Sequence, residues 1–120
     1  MSALFEEIDA TELRESYLRG ERGIRETTQA CIESIEATNA ELGAFLSIER
    51  ESALARAEEL ESSTLEPGPL HGVPVALKAN LCWEGHVASC GSKLLSDWRA
   101  PYTSTAVERL LAAGAIPVGV

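Results

Sequence analysis

Two lysines occur in this chain of 120 residues, and one of them, Lys78, closes an apolar run. The run reads Gly72-Val73-Pro74-Val75-Ala76-Leu77-Lys78-Ala79-Asn80. Lysine is almost never fully buried without a partner. Desolvation disfavours its ammonium form, which is how a lysine becomes a general base. A neutral lysine can take a proton from a serine hydroxyl, directly or through a second serine. Ser89 and Ser92 are the serines near it in sequence. Neither sits in a Gly-x-Ser-x-Gly turn, and Cys90-Gly91-Ser92-Lys93 carries no sharp nucleophile signal. Spacing alone therefore leaves two readings of Lys78: a catalytic base, or a strand-end lysine reaching solvent or a loop carbonyl.

The other reactive side chains are weaker candidates. His71 precedes the apolar run beside Gly72 and reads as a turn residue, while His86 lies in an irregular loop without an evident partner. Cys82 would need a base beside it to act as a nucleophile, and a small apolar role suits it better. Cys82, Cys90, His71 and His86 contain no Cys-x-x-Cys or His-x-x-x-His pair, so the expectation is no metal site. Three cysteines at wide spacing do not form a disulfide framework, which points to a reducing compartment.

Charge narrows the function classes. The net charge is −9. Residues 1–66 hold 16 acidic and 6 basic side chains, whereas residues 67–120 hold 3 and 4. An acidic half cannot displace counterions from nucleic acid, so it reads as solvated helix faces. Met1-Ser2-Ala3-Leu4-Phe5-Glu6-Glu7 resembles neither a signal peptide nor an arginine-rich transit sequence. No apolar run approaches the roughly 20 residues of a membrane span. The expected location is the cytoplasm.

The elements that must position Lys78 follow from periodicity. Hydrophobic residues make up 45% of the chain and aromatics only 5%, so the core must be aliphatic and alanine-rich, as in helices packed on a sheet. Ala10, Leu13, Tyr17 and Leu18 predict a first helix, closed by Gly20 and Gly23. Ile24, Thr28, Cys31, Ile32, Ile35 and Asn39 predict a second, and Ala53, Leu54, Ala57 and Leu60 a third. Ala44–Ile48 between them is strand-like. Ser62 to Pro69 is a loop by its turn residues and marks the charge boundary. Val73–Leu77 then reads as a strand buried on both faces, with Pro74 at its start. Thr105 and Glu108 have capping-box spacing, Gly114 suits a helix end, and Ala115–Val120 is a second buried strand. Strand, helix and strand in that order predict a right-handed parallel crossover. The expected organisation is a helical segment over 1–66 and the first part of an α/β core over 67–120. Because Val120 ends a strand at the edge where ligands bind in open parallel sheets, the chain reads as an incomplete domain.

These residues carry a resemblance. Gly68-Pro69-Leu70-His71-Gly72-Val73-Pro74-Val75-Ala76-Leu77-Lys78, Asn80-Leu81-Cys82 and Cys90-Gly91-Ser92-Lys93-Leu94-Leu95 are similar to the N-terminal part of amidase signature enzymes. Pro101-Tyr102, Thr105–Leu110 and Ala113-Gly114-Ala115 continue it, and Ile35-Glu36 and Leu42-Gly43-Ala44-Phe45 follow the same order. Within the family these motifs look most like the A-type subunits of tRNA-dependent amidotransferases. The resemblance implies a mixed α/β/α sheet preceded by helices. It implies that Lys78 is the base of a Ser-cisSer-Lys triad, acting through the bridging serine on the nucleophilic one. It further implies glutamine as the substrate and ammonia passed to a second subunit of a heterotrimer. There ATP and Mg serve the amidation of Glu-tRNA(Gln) or Asp-tRNA(Asn), and tRNA is met only through the complex. No cofactor belongs to this chain.

Two departures qualify the match. Ala79 stands where the family has an aspartate, which removes a hydrogen-bond acceptor beside the lysine. Gly119-Val120 stands where a Gly-Lys-Thr-like segment continues the family sequence. Both triad serines lie beyond that point in the family, so the expectation is a chain without hydrolytic activity. A fragment of a general carboxamide amidase and a non-catalytic binding module using the acidic helices are the alternatives.

Overall fold

The computed structural model describes residues 8–120. The reading of Met1–Glu7 as lacking a leader lies outside the described residues. Among those described, no helix is long and apolar enough to cross a membrane.

Helix α1, Ala10–Leu18, starts where the Asp9 carboxylate accepts the Glu12 amide proton at 2.8 Å. It buries Leu13 and Tyr17, one i, i+4 pair, together with Ser16. Ala10 and Leu18, expected on the same stripe, are exposed: Leu18 lies off that pair's axis, and Ala10 is the first residue of the helix. Helix α2, Ile24–Leu42, buries Ile24, Thr28 and Ile32 at successive four-residue steps, and Thr27 beside them. It ends at Gly43, whose left-handed φ of 61° lets its amide reach the Asn39 carbonyl. Helix α3, Arg50–Ser62, buries only Ala53 and Ala57, small residues that let α2 and α3 approach closely.

The sheet is short, two parallel strands. Strand β1, Pro74–Ala76, runs parallel to β2, Ile116–Gly119. Helix α4, Thr105–Ala112, lies in the crossover between them. Its N-cap is Ser104, whose hydroxyl accepts the Val107 amide proton, so the capping position is one residue earlier than Thr105. Along β2's other edge, residues 46–49 run antiparallel, with Glu49 N donating to Val118 O at 2.9 Å and Val120 N to Ser47 O at 3.0 Å. The strand-like reading of Ala44–Ile48 thus becomes a single bridge at Ile48.

Strand β2 is fully buried, as its apolar run predicts. Strand β1 is not: Pro74 and Val75 are half-buried and Ala76 is exposed. The difference is positional. β2 has a backbone neighbour on each side, whereas β1 is paired on one side only among the described residues. One core joins Leu13, Tyr17, Ile24, Ile32, Ala53, Ala57, Ile116 and Val118, so all three N-terminal helices contribute to the core that holds β2.

Arginines tie the helices to the crossover. Arg56 on α3 donates from Nε to Ala115 O at 2.7 Å and from Nη2 to Leu111 O at 2.6 Å. These carbonyls belong to the last turn of α4 and the residue entering β2, where the helix's own i+4 amides no longer supply donors. Partial burial pulls the Arg56 guanidinium below its ordinary value, yet the two carbonyls keep it bound. Arg14 on α1 donates from Nε to Gly68 O at 2.8 Å. The acidic faces make exposed pairs, among them Arg50 with Glu36, which links α3 to α2, and Arg25 with Glu58.

Candidate active site

The Gly68–Gly72 stretch packs the entry to β1 against the end of α4. Leu70 N donates to Ala113 O at 2.8 Å, Gly72 N to Gly114 O at 3.0 Å, and Ile116 N to Val73 O at 2.8 Å. At Gly68 any β-carbon would collide with the Ala113 carbonyl. Gly68 therefore serves close backbone contact, Gly72 at φ 75° leaves room for the Tyr17 ring and Ile24, and β1 leaves the seam in a fixed direction.

Lys78 stands two residues beyond β1, at the carboxyl end of the strand, and is exposed. Its backbone is held on three sides. Leu77 N donates to Gly119 O at 2.9 Å, Leu81 N to Lys78 O at 3.0 Å, and Cys90 N to Ala79 O at 3.1 Å. Among the described residues no ion pair includes its ammonium group. Open parallel sheets place ligands at this edge.

The two serines nearest in sequence have structural duties. Ser89 Oγ accepts from Gly91 N at 3.2 Å, and Ser92 Oγ accepts from Leu94 N at 3.2 Å, which starts a short 3₁₀ turn at Lys93–Leu95. With Ser47, Val87, Lys93 and Val120 they line an open cleft of about 370 Å³ at the carboxyl end of β2. Lys78 is not among the cleft's lining residues. The structure thus shows no serine hydrogen-bonded to Lys78 within the described residues.

The remaining candidates resolve into local contacts. His71 N closes a turn on Gly68 O at 3.2 Å. Partial burial, and then the neighbouring Arg14 charge, hold its imidazole below the ordinary value. His86 does have partners: it stacks on Trp83 with ring centroids 3.4 Å apart, its Nδ1 lies 3.1 Å from Glu84 O, and its Nε2 lies 3.7 Å from the Glu49 carboxylate. Sequence spacing missed the Glu49 contact because the two residues are far apart along the chain. The Tyr102 phenol is held above its ordinary value, first by the hydrogen-bonding influence of the neighbouring Cys82 thiol and then by its charge. Tyr102 is then protonated at neutral pH and offers Cys82 no base. No cluster of three or more metal-ligating side chains forms among the described residues.

Comparison with known proteins decides the family. A family model described as Amidase matches residues 26–120. The chain belongs to that amidase family. Among curated relatives it is 41% identical over 111 residues to the A-type subunit of the glutamyl-tRNA(Gln) amidotransferase of Cyanothece sp., covering 90% of this chain and 23% of that protein. It is 45% identical over 113 residues to the equivalent subunit from Salinispora tropica, covering 92% and 23%. Among solved structures, the peptide amidase of Stenotrophomonas maltophilia superposes with a TM-score of 0.86 at 32% identity, over 94% of this chain and 24% of that one. A component of a vestigial complex related to an s-triazine catabolic enzyme superposes at 0.87 and 28% identity, over 93% and 25%. The chain spans about a quarter of the length of the relatives it matches. These amidase neighbours share the α/β architecture of helices and a small parallel sheet found here.

Proposed function

We propose that this amidase-family chain carries the lysine base of a glutamine-hydrolysing site, with Lys78 as that base. The observation that supports it most directly is the placement of an exposed, backbone-fixed lysine at the carboxyl end of a parallel strand, within a block similar to the A-type subunits of amidotransferases. A neutral Lys78 would take a proton from a bridging serine, which in turn takes one from the nucleophilic serine. The nucleophile then attacks the glutamine carboxamide carbon and the C–N bond breaks. The proton passes back along the relay to the departing ammonia, leaving an acyl-enzyme for water to hydrolyse. Both serines are those implied by the family resemblance and would come from sequence beyond the matched quarter. Ammonia would pass to another subunit of a heterotrimeric complex, where ATP and Mg activate Glu-tRNA(Gln) or Asp-tRNA(Asn). Cytoplasmic location belongs to the same reading.

A second substrate reading is a general carboxamide amidase. It draws on the 32% identity to a peptide amidase. The test of both is a chimaera joining residues 1–120 to the carboxyl-terminal three quarters of the Salinispora tropica relative. We expect ammonia release from glutamine, lost on Lys78→Ala, and none from the 120-residue chain alone. Hydrolysis of a C-terminal peptide amide in preference to glutamine would favour the second reading. Full activity in Lys78→Ala would refute Lys78 as the base.

A further inference from the structure

Cys90 is the single non-glycine residue with a positive φ, 52°, among the described residues. An L side chain disfavours that left-handed region, and such outliers cluster where the surroundings over-determine the backbone for a purpose. The Cys90 side chain is exposed, so packing of the thiol does not account for the conformation. Its backbone amide does something specific: it donates to the carbonyl of Ala79, the residue directly after Lys78, at 3.1 Å.

The turn that holds Cys90 is itself closed. Ser92 N donates to Ser89 O at 2.8 Å, Ser89 Oγ accepts from Gly91 N, and Gly91 continues the left-handed path at φ 71°. On the strand side, the β1–β2 register slips between Val75 and Ala76, so Ala76 pairs with Gly119. Such an irregularity re-aims the side chains that follow it. Gly119 has no room for a β-carbon, which would lie 2.5 Å from Ser47 O and 2.7 Å from the Phe45 ring. Lys78 therefore leaves β1 after a slipped register, and the turn Ser89–Ser92 catches the chain one residue later.

We infer that the Ser89-Cys90-Gly91-Ser92 turn positions Lys78, with Cys90 as a positioning residue acting through its backbone amide on Ala79. The inference rests on the reading of Lys78 as the base. It assigns the left-handed Cys90 backbone a role that neither its thiol nor its packing requires. The same turn lines the cleft at the end of β2, so it joins the lysine's strand to the cleft wall.

The chain's two lysines make the test clean. Reductive methylation with ¹³C gives two lysine signals beside that of the N-terminal amine, and Lys78→Arg assigns the Lys78 signal. Cys90→Pro removes the amide and forbids the positive φ; Cys90→Gly keeps both. We expect Cys90→Pro to shift the Lys78 signal and to speed exchange of the Leu81 amide about tenfold, the scale of one lost hydrogen bond. Cys90→Gly should restore both to the parent values. An unchanged Lys78 signal in a folded Cys90→Pro variant, or equal disturbance in Cys90→Gly, overturns the inference. If Cys90→Pro does not fold, Ser89→Ala takes its place: it loosens the turn, and a Lys78 signal unmoved by it likewise overturns the inference. In the chimaera, Cys90→Pro should lower kcat about 10- to 100-fold with KM unchanged, the usual effect of small misplacement of a catalytic group. Activity retained in Lys78→Ala would refute the base while the spectral result still decides the positioning.

Discussion

Replacing Arg56 with methionine tests whether the arginine clamp, and not apolar burial alone, joins the helices to the crossover. Methionine keeps an unbranched apolar stem, so the packing along α3 is largely preserved. What disappears is the pair of charge-assisted hydrogen bonds, at 2.7 Å to Ala115 O and 2.6 Å to Leu111 O. Leu111 O retains the Gly114 amide at 3.0 Å, so the larger loss falls on Ala115 O. Hydrogen bonds to charged groups contribute roughly 1.5–3 kcal/mol each. Partial exposure of Arg56 and the relief of guanidinium desolvation offset part of that sum. The expected net loss is about 2–3 kcal/mol, a large share of the roughly 5–15 kcal/mol typical of a domain. Urea unfolding followed by circular dichroism at neutral pH measures it, with Arg25→Met as the control. Arg25 pairs with Glu58 on an exposed face, and such pairs contribute about 0–1 kcal/mol. A loss at Arg56 no larger than at Arg25 would refute the clamp.

Two further predictions concern the core and pH. Ile32 is completely buried between α2 and the sheet, so Ile32→Ala should cost about 2–5 kcal/mol in the same unfolding assay, and a loss under about 1 kcal/mol would remove it from the core. His71 is held below its ordinary value of 6.5 by partial burial and by Arg14, so the folded state favours the neutral ring. The associated stability is present above pH 6.5 and is lost as pH falls through the lower folded value. His71→Gln should therefore flatten the stability profile on the acid side of 6.5, and parallel profiles for parent and variant would contradict the assignment.

The tyrosine on α1 shows a different balance. Burial pushes the Tyr17 phenol up to about 12, opposed in part by the nearby Thr27 hydroxyl. Its oxygen is buried without a well-formed hydrogen bond, as is the Thr28 hydroxyl on α2. The ring packs against the core that supports β2, and the hydroxyl stays protonated at all physiological pH values.

Local signals in the sequence were enough for the three helices, the strand–helix–strand crossover and the block from Gly68 to Lys78. Helical stripes such as Ile24, Thr28 and Ile32 need only neighbours three or four residues apart, so periodicity reports them. The family was legible in the same block because its glycines, proline and lysine occur in a fixed order. Tertiary structure decided the rest, through contacts between residues far apart along the chain. Arg14 and Arg56 look like solvated charges in sequence, yet they bind carbonyls 54 and 59 residues away. Strand β1 reads as buried, but burial depends on how many strands flank it, which an apolar run does not encode. Cys90 carries no sequence mark of a left-handed backbone; only its closure on Ala79 reveals one. Sequence named Lys78 and the family to which its motif belongs. The fold alone set where that lysine stands, because its position depends on a register slip and on a turn 12 residues downstream.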